Sequence, residues 1–114
     1  MRLQRVNQLI REEISHLIQR ELKDPRLGFV TVTEVDVAKD LRTAKVYVSV
    51  LGSEKKRDAT MAGLQSSHGV LQSRVNSELR LKHTPQLTFE YDPTVERGVR
   101  LSRLIDELNS DETT

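Results

Sequence analysis

Residues 29–50 read FVTVTEVDVAKDLRTAKVYVSV, and the alternation within them decides the fold. From residue 44 the pattern is clean. Ala44, Val46, Val48 and Val50 alternate with Lys45, Tyr47 and Ser49, as in a strand with one buried face. Residues 29–37 form a second run, but its parity slips. Val30 and Val32 share one face, whereas Val35 and Val37 share a face one residue out of step. A period of two cannot slip without an extra residue, so the run predicts a strand with a bulge near Thr33–Glu34. Residues 38–43, AKDLRT, form the turn, and the two strands make a hairpin.

Outward from the hairpin the period changes. Leu3, Val6, Ile10, Ile14, Leu17, Ile18 and Leu22 recur in steps that place them on one helical face, which predicts a helix over 3–23. Lys23 suits its negative end and Asp24-Pro25 stops it. Downstream, Gly52 ends the strand and Ser53 caps a helix over 54–66. Ser66-Ser67-His68-Gly69 interrupts the pattern. It resumes with Val70, Leu71, Val75 and Leu79 in a second helix to about residue 82. Thr84-Pro85 breaks that helix, and Leu87, Phe89 and Tyr91 alternate as a third strand. After Asp92-Pro93, Val99, Leu101, Leu104, Ile105 and Leu108 predict a last helix over 95–108. The acidic tail 109–114, NSDETT, is expected to be disordered. The chain therefore reads as one domain over 1–108. Its α-β-β-α-α-β order gives an α+β fold with helices on one sheet face, compatible with a type II KH-like domain.

Composition bounds the function. The chain has 114 residues, 36% hydrophobic and only 4% aromatic, so aliphatic side chains must build the core. No apolar run approaches the roughly 18 residues of a membrane span, and the charged N-terminus does not read as a secretory signal. Cysteine is absent, which excludes disulfides, thiol catalysis and cysteine-ligated metal and fits a cytoplasmic protein. Residues 1–91 carry 15 basic and 11 acidic side chains, and residues 92–114 carry 3 and 6, so a net charge of +1 hides a basic body and an acidic tail. That asymmetry is compatible with nucleic-acid binding, although a pI of 8.1 also fits a surface of mixed sign.

The stretches RVNQLIREEISHLI, LKDPRLGFVTVTEVDVAKDLRTAKVYVSVLG and LRLKHTPQLTFEYD stand in the order found in bacterial ribosome-binding factor A, and the chain resembles that family over residues 2–105. The resemblance implies a type II KH-like fold and binding to the small (30S) ribosomal subunit late in assembly. It implies assistance with maturation of the 5′ end of 16S rRNA, a role in growth in the cold, and release before translation. Assembly GTPases are a partner class it brings with it, and a monomer without cofactor or membrane partner is expected. The family carries Ala-x-Gly at the helix kink in place of the KH phosphate clamp, and here Ser67, His68 and Gly69 occupy those positions. Ser67 departs from alanine but stays small; Lys82 and Gln86 depart from the more usual arginine and glutamate.

The candidate RNA-binding residues are Ser67, His68, Gly69, Lys55, Lys56, Arg57, Arg74, Arg80 and Lys82. Small residues at a kink let an RNA backbone approach closely. Ser67 offers a hydroxyl, Gly69 a backbone free to redirect the chain, and His68 a ring to stack or to pair with phosphate. The plain alternative is that Ser-His-Gly is a helix cap and turn. The six cations are read as flanking the kink and neutralising phosphates, against the alternative of a solvated helix face. Arg2, Arg5, Arg11 and Lys23 of the first helix are further candidates. Tyr47, Phe89 and Tyr91 are a candidate stacking platform, with core packing the simpler account of Phe89.

His16 and His83 have no partners at metal-ligand spacing, and Asp36 and Asp40 bracket a turn beside Lys39 and Arg42. With no nucleotide-binding glycine loop and no catalytic spacing, the sequence predicts a protein that is not an enzyme. The rival readings are a general KH-like RNA-binding module, a protein-interaction domain and a ribonuclease.

Overall fold

The structure is a computed structural model that describes residues 3–22 and 27–94. The expected helix over 95–108, the tail 109–114 and the candidates Arg2 and Lys23 lie outside the described residues. Six elements follow in the expected order: α1 (Leu3–Arg20), β1 (Val30–Val37), β2 (Thr43–Val50), α2 (Glu54–Ser66), α3 (His68–Leu79) and β3 (Gln86–Tyr91).

The hairpin forms as its alternation dictates. β1 and β2 are antiparallel, with Val32 opposite Val48 and then Glu34 opposite Tyr47, so Thr33 is the extra residue of the bulge. The bulge puts Val30, Val32, Val35 and Val37 all on the buried face despite their broken parity. Thr33 uses its freedom from the ladder to donate its hydroxyl to Asp92 Oδ2 at 2.7 Å. β3 joins β2 in parallel, giving the sheet order β1-β2-β3.

The core is aliphatic, as the composition requires. Ile10, Ile14 and Leu17 of α1, Val46 and Val48 of β2, Leu64 of α2, Leu71 and Val75 of α3, and Leu87 of β3 are essentially closed to water. Burial of each such side chain is worth about 1.5–3 kcal/mol. Phe89 joins this core. Among the described residues the three helices lie on one face of the sheet and none covers the other.

Both outer strands are tied to helices by side chains. Asn7 of α1 accepts the Val37 N–H at 2.9 Å. At β3, Gln72 of α3 accepts the Leu87 N–H at 2.8 Å, and His68 Nε2 meets the Leu87 carbonyl at 2.7 Å.

Three helix and strand limits differ from the expectation. α1 ends at Arg20, because the N–H groups of Glu21 and Leu22 both turn back to the Leu17 carbonyl. α3 ends at Leu79, because Arg80 takes a left-handed conformation at φ 49° that closes the helix. Arg80 and Lys82 are therefore not on that helix. Phe29 lies just before β1 and is 80% exposed.

Candidate nucleic-acid interface

The kink is a single residue. Ser67 (φ −89°, ψ 2°) ends α2 by donating its N–H to the carbonyls of Gly63 and Leu64, at 3.0 and 3.1 Å. It then opens α3 by accepting the Leu71 N–H at 3.0 Å. Its hydroxyl makes no capping bond. The chain thus changes direction at Ser67 and not, as expected, at Gly69. Gly69 sits in the first turn of α3 without a positive φ. A Cβ placed on it would meet nothing within 4 Å. The fold does not need glycine there, so what its missing side chain leaves open is the surface above it. Val70 beside it is 59% exposed, although periodicity placed it on the inner face.

His68 turns toward the sheet. Its Nε2 must carry the proton, because its partner, the Leu87 carbonyl, can only accept. The ring meets Phe89 edge-on, with centroids 6.2 Å apart. Four residues on, Gln72 takes the Leu87 N–H and donates to the Pro85 carbonyl at 3.0 Å. The two side chains, one helical turn apart, fix the kink against the start of β3. Nothing in the sequence marked Gln72, which reads as a polar residue on a solvated face.

The cations do not ring the kink. α2 rises about 1.5 Å per residue, so Lys56 stands roughly 16 Å along the helix from Ser67. Lys55 and Lys56 are exposed at that far end. The stem of Lys56 lies across two glycines: a Cβ on Gly28 would meet its Cε at 2.8 Å, and one on Gly52 its Cδ at 3.0 Å. Gly52 also holds φ +130°, which favours glycine outright. Ser53 caps this end as expected, accepting the Lys56 N–H at 3.2 Å.

Arg57 is engaged within the fold. Its guanidinium lies 4.7 Å from the centre of the Tyr91 ring and pairs with Glu54 at 3.4 Å and Asp58 at 3.7 Å. Its hydrogen bond to Tyr91, aided by those carboxylates, raises its pKa against the opposing desolvation, so it stays charged. Arg74 binds both oxygens of Glu21, at 2.5 and 2.6 Å, and so links α3 to the end of α1.

Arg80 and Lys82 belong instead to the loop before β3. The Gln86 N–H bonds to the Arg42 carbonyl at 2.8 Å, which seats that loop against the turn between β1 and β2. That bond puts Arg42, which the sequence tied only to a neighbouring aspartate, beside the start of β3. On α1, Arg11 lines a groove of 740 Å³ beside β1, where His16 and Arg20 are balanced by Glu12 and Glu34. The proposed aromatic platform divides, with Tyr47 on the open sheet face and Phe89 in the core. Among the described residues no group of three acidic or histidine side chains could hold a metal, and no helix is long and apolar enough to cross a membrane.

A family model described as ribosome-binding factor A matches residues 2–105, spanning every element and the kink. The chain belongs to the ribosome-binding factor A family. A ribosome-binding factor A from Halothermothrix orenii is 42% identical over 111 residues, covering 97% of this chain and 91% of that protein. The crystal structure of the Thermus thermophilus ribosome-binding factor A matches with a TM-score of 0.71 over 79% of this chain and 94% of that one, at 24% identity, a likeness of fold. A homology model of the Thermus thermophilus ribosome-binding factor A, fitted into a cryo-electron-microscopy map of a 30S complex, matches with a TM-score of 0.62. Its identity is 26%, over 75% of this chain and 89% of that one. The ribosome-binding factor A assignment agrees with the α-β-β-α-α-β order and the type II KH-like reading.

Proposed function

We propose that this chain binds free, immature 30S subunits in the cytoplasm and assists late assembly and maturation of the 5′ end of 16S rRNA without catalysing a reaction. The observation that carries this reading is the near full-length match to ribosome-binding factor A, joined to a kink whose one glycine opens only onto solvent. RNA backbone approaches over Gly69 and beside the Ser67 hydroxyl. Lys55, Lys56, Arg80 and Lys82 supply phosphate contacts at the far ends of the helix pair. The remaining candidates act through the fold: His68 positions the kink, Arg57 the start of α2 and Arg74 the junction of α1 with α3.

Binding favours processing only as far as the protein prefers the RNA conformation that nucleases trim correctly. The protein acts as a monomer, and assembly GTPases are the partner class proposed for the same particle. Sedimentation of a cell extract through a sucrose gradient tests the reading. The protein is expected with free small subunits and absent from translating ribosomes. Confinement to the top of the gradient at low salt would overturn it.

A further inference from the structure

The sheet has two unlike faces. Among the described residues one is covered by three helices, and no helix lies on the other. The register places side chains on the bare face in rows. Glu34 of β1 lies opposite Tyr47 of β2, and Tyr47 lies beside Glu90 of β3. Neighbouring strands are about 4.8 Å apart, so the half-buried Tyr47 ring stands between two exposed carboxylate side chains. In the next row Asp36 faces Lys45, beside Thr88. Among the described residues these rows carry three carboxylates against one ammonium, and Glu34, at the sheet edge, also lines the groove it shares with Arg11 and Arg20 of α1.

At the other end of the face is an apolar pair. The Leu51 N–H bonds to the Phe29 carbonyl at 3.1 Å, which continues the hairpin one step beyond the strands. Phe29 is 80% and Leu51 74% exposed. Two large apolar side chains side by side in water are a recognisable anchor for a partner. Leu51 is four residues from Tyr47, about 13 Å along an extended strand.

We infer that the bare sheet face docks a basic, partly apolar polypeptide segment of the ribosomal particle. Its apolar residue covers Phe29 and Leu51, and an arginine or lysine about 13 Å away lies on Tyr47 between Glu34 and Glu90. The charge selects the occupant. Carboxylates on both sides of the ring repel phosphate and attract a cation, so this face recognises protein where the kink recognises RNA. The inference rests on the 30S reading above and adds a protein partner to it.

The test compares two probes, purified 30S subunits and protein-free 16S rRNA, with the full chain and with the triple variant Phe29→Ser, Glu34→Gln, Glu90→Gln. All three side chains are exposed or at the rim, and urea denaturation checks that the variant folds as the parent does. The variant is expected to bind 30S subunits about tenfold more weakly, with affinity for naked rRNA changed less than about twofold. Equal losses on both probes would make the face an RNA contact and overturn the inference, and so would unchanged binding to both. Loss of a self-association seen by sedimentation in the parent would assign the face to a second copy and overturn it as well. Failure of the unmodified chain to bind 30S subunits would instead sink the parent reading, and this inference with it.

Discussion

The kink and the bare sheet face differ in what their side chains are doing. At the kink, polar groups work inward. His68 and Gln72 hold β3, and Ser67 joins two helices through its backbone, so the surface left for a partner is made by the absence of a side chain at Gly69. On the sheet face the side chains work outward. Glu34, Tyr47 and Glu90 stand in a row that no helix among the described residues covers, with Glu34 at the rim of the groove beside α1. A conspicuous motif can therefore be largely structural, while a surface without a motif holds the freer chemistry.

Substitutions can break or sharpen that contrast. The largest expected effect is beneath the kink. Leu71→Ala empties a fully buried position in the first turn of α3 and should cost about 2–5 kcal/mol in urea denaturation. His68→Ala follows, at about 1–3 kcal/mol, since the Leu87 carbonyl loses its donor. A His68→Ala protein of unchanged stability that binds rRNA poorly would make the ring an RNA contact and erase the contrast.

Gly69→Ala should move stability and binding in opposite directions. Alanine suits a helix better, by up to about 1 kcal/mol, and meets no neighbour in the free protein, yet it fills the space over which RNA is proposed to approach. Thermal melting should show the gain and rRNA titration the loss. Smallest is Arg74→Gln. Its ion pair with Glu21 is more than two-fifths exposed on each side, so the cost should be about 0.2–1 kcal/mol, fading as salt is added to the melt.

Much of this contrast was legible in the residues, but unevenly. The slip of parity between Val32 and Val35 forecast the bulge, because side chains alternate strictly along a strand and only an inserted residue restores the buried face. The cap at Ser53 and an interruption somewhere in 66–69 were legible for the same reason, being set by neighbours in the chain, whereas the turn itself falls at Ser67 and not at Gly69. What periodicity cannot report is the partner across space. Gln72 and Asn7 look like solvated amides until β3 and β1 arrive beside them.

Arg80 looked like a further helical residue because nothing local forbids it, and only its left-handed backbone ends α3 there. The cations looked clustered along the chain, yet the length of α2 separates Lys55 and Lys56 from the kink. Phe29 looked like a strand residue, although one position decides whether it is paired within the sheet or bare beyond it.

The side-chain ties at the two outer strands have a consequence for how copies of this protein meet. An unpaired strand edge is a template on which another molecule can lay a strand, and a short sheet with two such edges invites chain-to-chain aggregation. Here Asn7 occupies the outer N–H at Val37, and His68 with Gln72 occupies both outer groups of Leu87. A foreign strand would have to displace these side chains to pair at Val37 or Leu87. The imidazole at the kink thus also takes an edge group that a foreign strand would need, and at these positions the cover comes from the helices and not from the strands they shield.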